Sequence, residues 1–152
     1  MKSLIPAVLL LLLTAACSSI ECPVQNIVAC YYEVNDTLKD TLTIRSATKK
    51  GKDTLLLNMS QNTTSFKLPL SYQRDVDTLI FVTTKLAVID TVWVYKTDMP
   101  HFESVDCGVA YFHELKDVRC THLGIDSIVI KKTFIDYDLS TPHLRIYFKS
   151  RN

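Results

Sequence analysis

From Leu144 to Lys149 the chain alternates strictly, with Leu144, Ile146 and Phe148 on one side and Arg145, Tyr147 and Lys149 on the other. A period of two places successive side chains on opposite faces of an extended strand, and no helix can satisfy it. Comparable runs occur at 27–34, 38–45, 54–59, 78–83, 87–95, 109–115 and 127–132, most of them rich in Val, Ile, Thr, Tyr and Phe. Polar breaks such as 49–52 and 71–75 separate them. With no helical pattern of ten residues, the expected fold is all-β, an antiparallel β-sandwich of about eight strands over residues 27–152. The stretch Phe112–Val118, where the alternation lapses, is the one place where a short helical turn is expected.

Composition removes several functions. Only Gly51, Gly108 and Gly124 are present, so no glycine-rich loop exists to bring backbone amides onto a phosphate. The 17 Lys and Arg against 16 Asp and Glu are scattered, without the basic stripe that nucleic-acid binding requires. No cofactor and no nucleic-acid partner is expected.

The N-terminus reads as an export signal. Lys2 supplies a positive start, Leu4 to Leu13 an apolar run too short to span a bilayer permanently, and Thr14-Ala15-Ala16 a small-residue stretch before Cys17. This order resembles a lipobox, although Thr14 stands where Leu or Val is usual. Residues 1–16 are therefore expected to be removed and Cys17 to carry the lipid. Residues 17–26 would form a tether, and the membrane would be a partner through the acyl chains. Ser18 and Ser19 lack the Asp that retains similar lipoproteins in the inner membrane, so the resemblance implies the outer membrane.

Four further cysteines, Cys22, Cys30, Cys107 and Cys120, would lie in an oxidising compartment, where three complete pairings are open. Cys30 keeps phase with Val28, Tyr32 and Val34 and reads as a buried apolar thiol. Cys22, beside Pro23 at the end of the tether, is favoured as the partner of Cys107.

His101, His113 and His122 share a window with Cys107 and Cys120, and Cys120 and His122 are spaced to project from one strand face. The window has neither a C-x-x-C pair nor an H-E-x-x-H helix, so no metal site is assigned and ordinary structural histidines are expected. Ser104 near His101 forms no recognisable nucleophile arrangement. The pairs Asp75/Asp77 and Asp136/Asp138 read as solvated turn residues, and Trp93 with Tyr95 as sheet cover or, second, a sugar-stacking platform.

Six tripeptides of Asp, then Thr or Ser, then an aliphatic residue begin at Asp36, Asp40, Asp53, Asp77, Asp90 and Asp126. Asp favours turns and the next two residues favour strands, which gives the trio a structural explanation. It also resembles the acceptor of a periplasmic O-glycosylation system of Gram-negative anaerobes. That resemblance implies sugars on exposed hydroxyls, with Thr37, Thr41 and Thr54 expected first.

After the lipobox, the segments 21–26 (Glu-Cys-Pro-Val-Gln-Asn), 68–72 (Leu-Pro-Leu-Ser-Tyr), 100–108 (Pro-His-Phe-Glu-Ser-Val-Asp-Cys-Gly) and 143–149 resemble a family of small lipoproteins of unknown function from Gram-negative gut anaerobes. The resemblance implies a β-rich lipoprotein domain and no particular activity. Two classes of function follow. The first is a non-enzymatic binding or accessory domain with an envelope protein partner. The second is a metal-dependent factor or enzyme using the His101–His122 region. The missing catalytic constellation favours the first.

Overall fold

The computed structural model describes residues 28–47, 53–104 and 107–150. The signal segment, Cys17, the tether with Cys22 and the Lys-rich break at 48–52 lie outside the described residues. The described residues form eight strands: β1 (Ala29–Ser46), β2 (Thr54–Pro69), β3 (Val76–Thr83), β4 (Val88–His101), β5 (Ala110–Cys120), β6 (Ile125–Ile130), β7 (Phe134–Ile135) and β8 (Leu144–Phe148). They follow the order β6-β8-β1-β3-β4-β5-β7, with β2 on the other edge of β1. Every pair is antiparallel except β1 with β8. The all-β, sandwich-like expectation holds, with this one parallel pair as its departure.

β1 organises the architecture. Its first half, Tyr32–Val34, pairs in parallel with Leu144–Ile146, whereas Leu42–Ser46 pairs antiparallel with Leu79–Thr83 of β3. β2 runs along the opposite edge of β1 from one end to the other, interrupted by register shifts after Glu33 and Leu38. β1 therefore belongs to two sets of strands in succession. Their inner faces meet in one cluster that includes Tyr32, Ile146 and Ile125 from one set and Ile44, Phe81, Val94 and Ile135 from the other. Phe66 ties the two together, stacking on Tyr32 at 4.9 Å and tilting against Phe81 at 6.1 Å. A side chain as fully buried as Phe81 contributes roughly 1.5–3 kcal/mol through the water it leaves.

Two expectations about the elements are corrected. The separate strands at 27–34 and 38–45 are one strand with a kink, because Asp36 adopts a left-handed backbone (φ 65°) without ending the pairing. Asp tolerates that conformation better than most residues. The suspected turn at Phe112–Val118 is strand. A shift between Tyr95↔Asp117 and Lys96↔Leu115 leaves Lys116 unpaired. The inward positions of β5 consequently pass from buried His113 and Leu115 to partly buried Val118 and Cys120. The three-residue step from Leu115 to Val118 imitates helical spacing. A further strand, β7, is two residues long and had no detectable signal in the sequence.

Candidate functional site: a cleft where one strand changes neighbours

β1 stops pairing with β8 at Val34 and does not meet β3 until Leu42. Along the intervening residues no strand among the described residues pairs with that edge, and a cleft of about 480 Å3 opens there. Volumes of 300–1,000 Å3 are typical of small-molecule sites. Its wall is the kinked segment Val34–Asp40, its roof the β3–β4 turn at Lys85 and Leu86, and its far side Phe148, Lys149 and Ser150. Val34, Leu38, Leu86 and Phe148 give it an apolar lining, with Lys39, Lys85 and Lys149 among its polar residues.

Asp40 fixes the roof. One carboxylate oxygen accepts the backbone N–H groups of Thr41 (2.6 Å) and Lys85 (2.8 Å), and the other accepts that of Leu86 (3.0 Å). Burial works to raise the Asp40 carboxyl. The three N–H donors and the nearby Lys85 charge outweigh it and hold the group below its ordinary range. Two of the lysines donate to neutral carbonyls, Lys85 Nζ to Lys39 O at 3.0 Å and Lys149 Nζ to His122 O at 2.6 Å. Such bonds orient an ammonium group without cancelling its charge.

A second polar group lies inside the sandwich. Lys96 and His113 are buried, and Asp98 receives both, from Lys96 Nζ at 2.5 Å and His113 Nδ1 at 2.6 Å. Lys96 Nζ also donates to Arg74 O at 2.7 Å and to Ser71 O. All three ammonium protons are thus committed, two of them pinning the β2–β3 connection onto β4. Asp77 joins this region by accepting the Ser71 N–H at 2.9 Å. Burial pushes the Asp77 carboxyl up and the His113 imidazole down, so His113 is held neutral. With its donors and acceptors matched internally, the group is a brace for a loop.

The histidines of the metal window are dispersed. His101 sits opposite Ala110 at one end of β5 and stacks on Phe112 at 4.2 Å, next to Tyr137. His113 points into the sandwich, and His122 lies beyond Cys120 at the far end of β5, roughly 30 Å along the strand at its usual rise per residue. Cys120 and His122 do approach, with Sγ 3.5 Å from Nδ1, but that nitrogen is engaged with the Asp126 carbonyl at 2.7 Å. Among the described residues no group of three His, Cys, Asp or Glu is arranged to hold a metal ion. Cys107 is disulfide-bonded, to a partner outside the described residues. Cys30 and Cys120 are free. Cys30 is fully buried as expected, its thiol pushed up to about 12 chiefly by burial.

The six Asp tripeptides divide in two. Asp40, Asp77 and Asp90 are buried and accept backbone N–H groups, whereas Asp36, Asp53 and Asp126 are exposed. Asp90 accepts four hydrogen bonds, one from the Thr121 hydroxyl and three from the backbone N–H groups of Leu123, Gly124 and Ile125. The reading of Asp77 as a solvated turn residue is therefore overturned, although Asp136 and Asp138 do shape an exposed turn. Among the three expected glycosylation sites, Thr37 and Thr54 are exposed, and Thr37 lines the cleft. Thr41 is only 9% exposed, so the expectation of an exposed acceptor there is not met. Trp93 and Tyr95 lie half-buried on the outer face of β4, with Arg119 over the Tyr95 ring at 5.2 Å.

The cleft lysines carried no sequence signal, since Lys39, Lys85 and Lys149 come from three distant segments of the chain. No curated protein and no solved structure matches the sequence. A family profile does, over residues 41–148, a span that begins in the last third of β1 and reaches the last residue of β8. The chain belongs to DUF6452, a family of unknown function.

Proposed function

We propose that the protein is a lipid-anchored lipoprotein of the Gram-negative cell envelope, with a β domain that binds a ligand or partner and performs no chemistry of its own. The anchor rests on the order Lys2, Leu4–Leu13, Thr14–Ala16 and Cys17. The bonded state of Cys107 supports an oxidising compartment, where structural disulfides form and persist. With Cys30 and Cys120 free and Cys17 taken by lipid, Cys22 is the partner left for Cys107. Ser18 and Ser19 favour the outer membrane. Exposed Thr37 and Thr54 remain the candidate sugar acceptors.

The single observation behind a binding role is the cleft at the β1 kink, with its apolar lining and no nucleophile–base pair among its residues. The anchor is tested by feeding cells a clickable fatty acid. The wild type should be labelled and Cys17→Ala should not, and equal labelling would overturn the anchor. Crosslinking in intact cells, followed by capture of the protein, tests the binding role. A specific partner or ligand lost on substitution of cleft residues supports it, whereas unchanged capture after those substitutions removes the cleft from the function.

A further inference from the structure

Within that binding reading, the cleft carries enough chemistry to define what it takes. We infer that its ligand is an anionic amphiphile, with a carboxylate or phosphate head against the lysines and an apolar portion on Val34, Leu38, Leu86 and Phe148. Among the described residues that line the cleft, three are lysines, Lys39, Lys85 and Lys149, and two are aspartates, Asp36 and Asp40. Asp40 has its oxygens occupied by three backbone N–H groups and lies within Coulombic range of Lys85. Asp36 accepts from the neutral Asn35 side chain at 3.0 Å. The balance is one net positive charge, three lysines against two aspartates. A cation would meet this excess charge with no free carboxylate pair to hold it. A neutral apolar ligand would leave the ammonium groups unused at the rim.

The backbone supports a site here independently of the charges. The cleft wall contains Asp36 with its left-handed conformation, and the β1–β2 register shifts at the same place. Kinks and bulges of this kind cost stability and recur where side chains must be re-aimed at a ligand. The same chemistry is offered by a free fatty acid and by the head group of an anionic lipid, and the two can be separated experimentally.

The test uses the complete mature chain with Cys17→Ala, so that no acyl group of its own competes. Titration with decanoate and with decanol, followed by amide chemical shifts, should move the signals of residues 34–40, 85–86 and 148–150. Decanoate should bind about tenfold more tightly than decanol, as one charge-assisted contact allows. The double substitution Lys39→Ala, Lys149→Ala should abolish that difference while leaving decanol unaffected. Lys67→Ala, on Tyr31 outside the cleft, should change neither. A parallel arm measures binding to phosphatidylglycerol and phosphatidylcholine vesicles. Lysine-dependent binding to the first alone identifies a lipid head group, and lysine-dependent decanoate binding a free amphiphile. Equal affinity for decanoate and decanol would overturn the anionic head group and leave the cleft a binding site. Shifts confined to other residues, or no lysine dependence in either arm, would overturn the inference while the crosslinking result stands on its own.

Discussion

The backbone N–H of Tyr31 donates to Nδ1 of His143 at 3.0 Å, across 112 positions of sequence, and His143 returns its own N–H to the Tyr31 carbonyl at 2.8 Å. The imidazole is fully buried and serves as an acceptor in the seam between β1 and the segment entering β8. It can do so only while Nδ1 is unprotonated. Burial lowers its affinity for a proton, and the same is true of His113.

That arrangement sets the acid behaviour. In the unfolded chain both histidines take up protons around 6.5, while in the folded protein both resist. Below that pH the unfolded state binds more protons, so stability falls as pH falls, by about 1.4 kcal/mol per pH unit for each histidine within its window. Urea unfolding at a series of pH values between about 7.5 and 5 should show this decline, and His143→Gln or His113→Gln should flatten it. Stability that rises over the same interval would contradict it. At lower pH, Asp40 and Asp90, both held below 3.8, add a further loss as they become protonated.

Asp90 should be the most sensitive of the tripeptide aspartates. Asp90→Ala strands one hydroxyl and three backbone N–H donors of the Thr121–Ile125 loop, at a cost of roughly 2–4 kcal/mol. Exposed Asp126→Ala should stay within about 0.5 kcal/mol. Denaturant midpoints of the two variants provide the comparison, and equal effects would show that burial of the Asp is irrelevant.

The loop brace gives a third expectation. Lys96→Met removes the ammonium that holds the Ser71 and Arg74 carbonyls and leaves Asp98 with His113 alone. Breaking a buried pair from one side costs roughly 3–5 kcal/mol. Hydrogen exchange should additionally show the 70–75 connection losing protection before the rest of the sheet. Uniform loss across all strands would mean that Lys96 supports the whole core.

Thiol chemistry supplies the fourth. Half-buried Cys120 should react with a maleimide in the native protein, whereas Cys30 should react only after unfolding. Non-reducing peptide mapping should recover Cys107 joined to Cys22. Cys107→Ser should lower stability by about 2–5 kcal/mol. Recovery of Cys107 as a free thiol would refute the bridge.

Sequence periodicity gave away most of the strands because one face of each had to be apolar. In β4 it did more, since Asp90, Lys96 and Asp98 share parity with Val92 and Val94, which places them inward. Their charges nonetheless give no sign of burial, because nothing local announces that a loop from residues 70–75 will close over Lys96. The break at Asn35-Asp36 was visible, but a single left-handed residue looks the same in a loop as in a kinked strand. The cleft was invisible for a different reason. It exists only because β8 and β3, distant in sequence, both lie along β1 and leave a gap between them.

The parallel contact of β1 with β8 also dictates the order in which the protein can be completed. Strand β1 is synthesised first, and its neighbour at Tyr32–Val34 is the last strand to appear. Closing so large a loop is slow, and until it closes one edge of β1 presents open amides and carbonyls to any other chain. Completion of this edge therefore waits on the C-terminal strand, and a chain shortened before Leu144 would leave Tyr32–Val34 without its parallel neighbour.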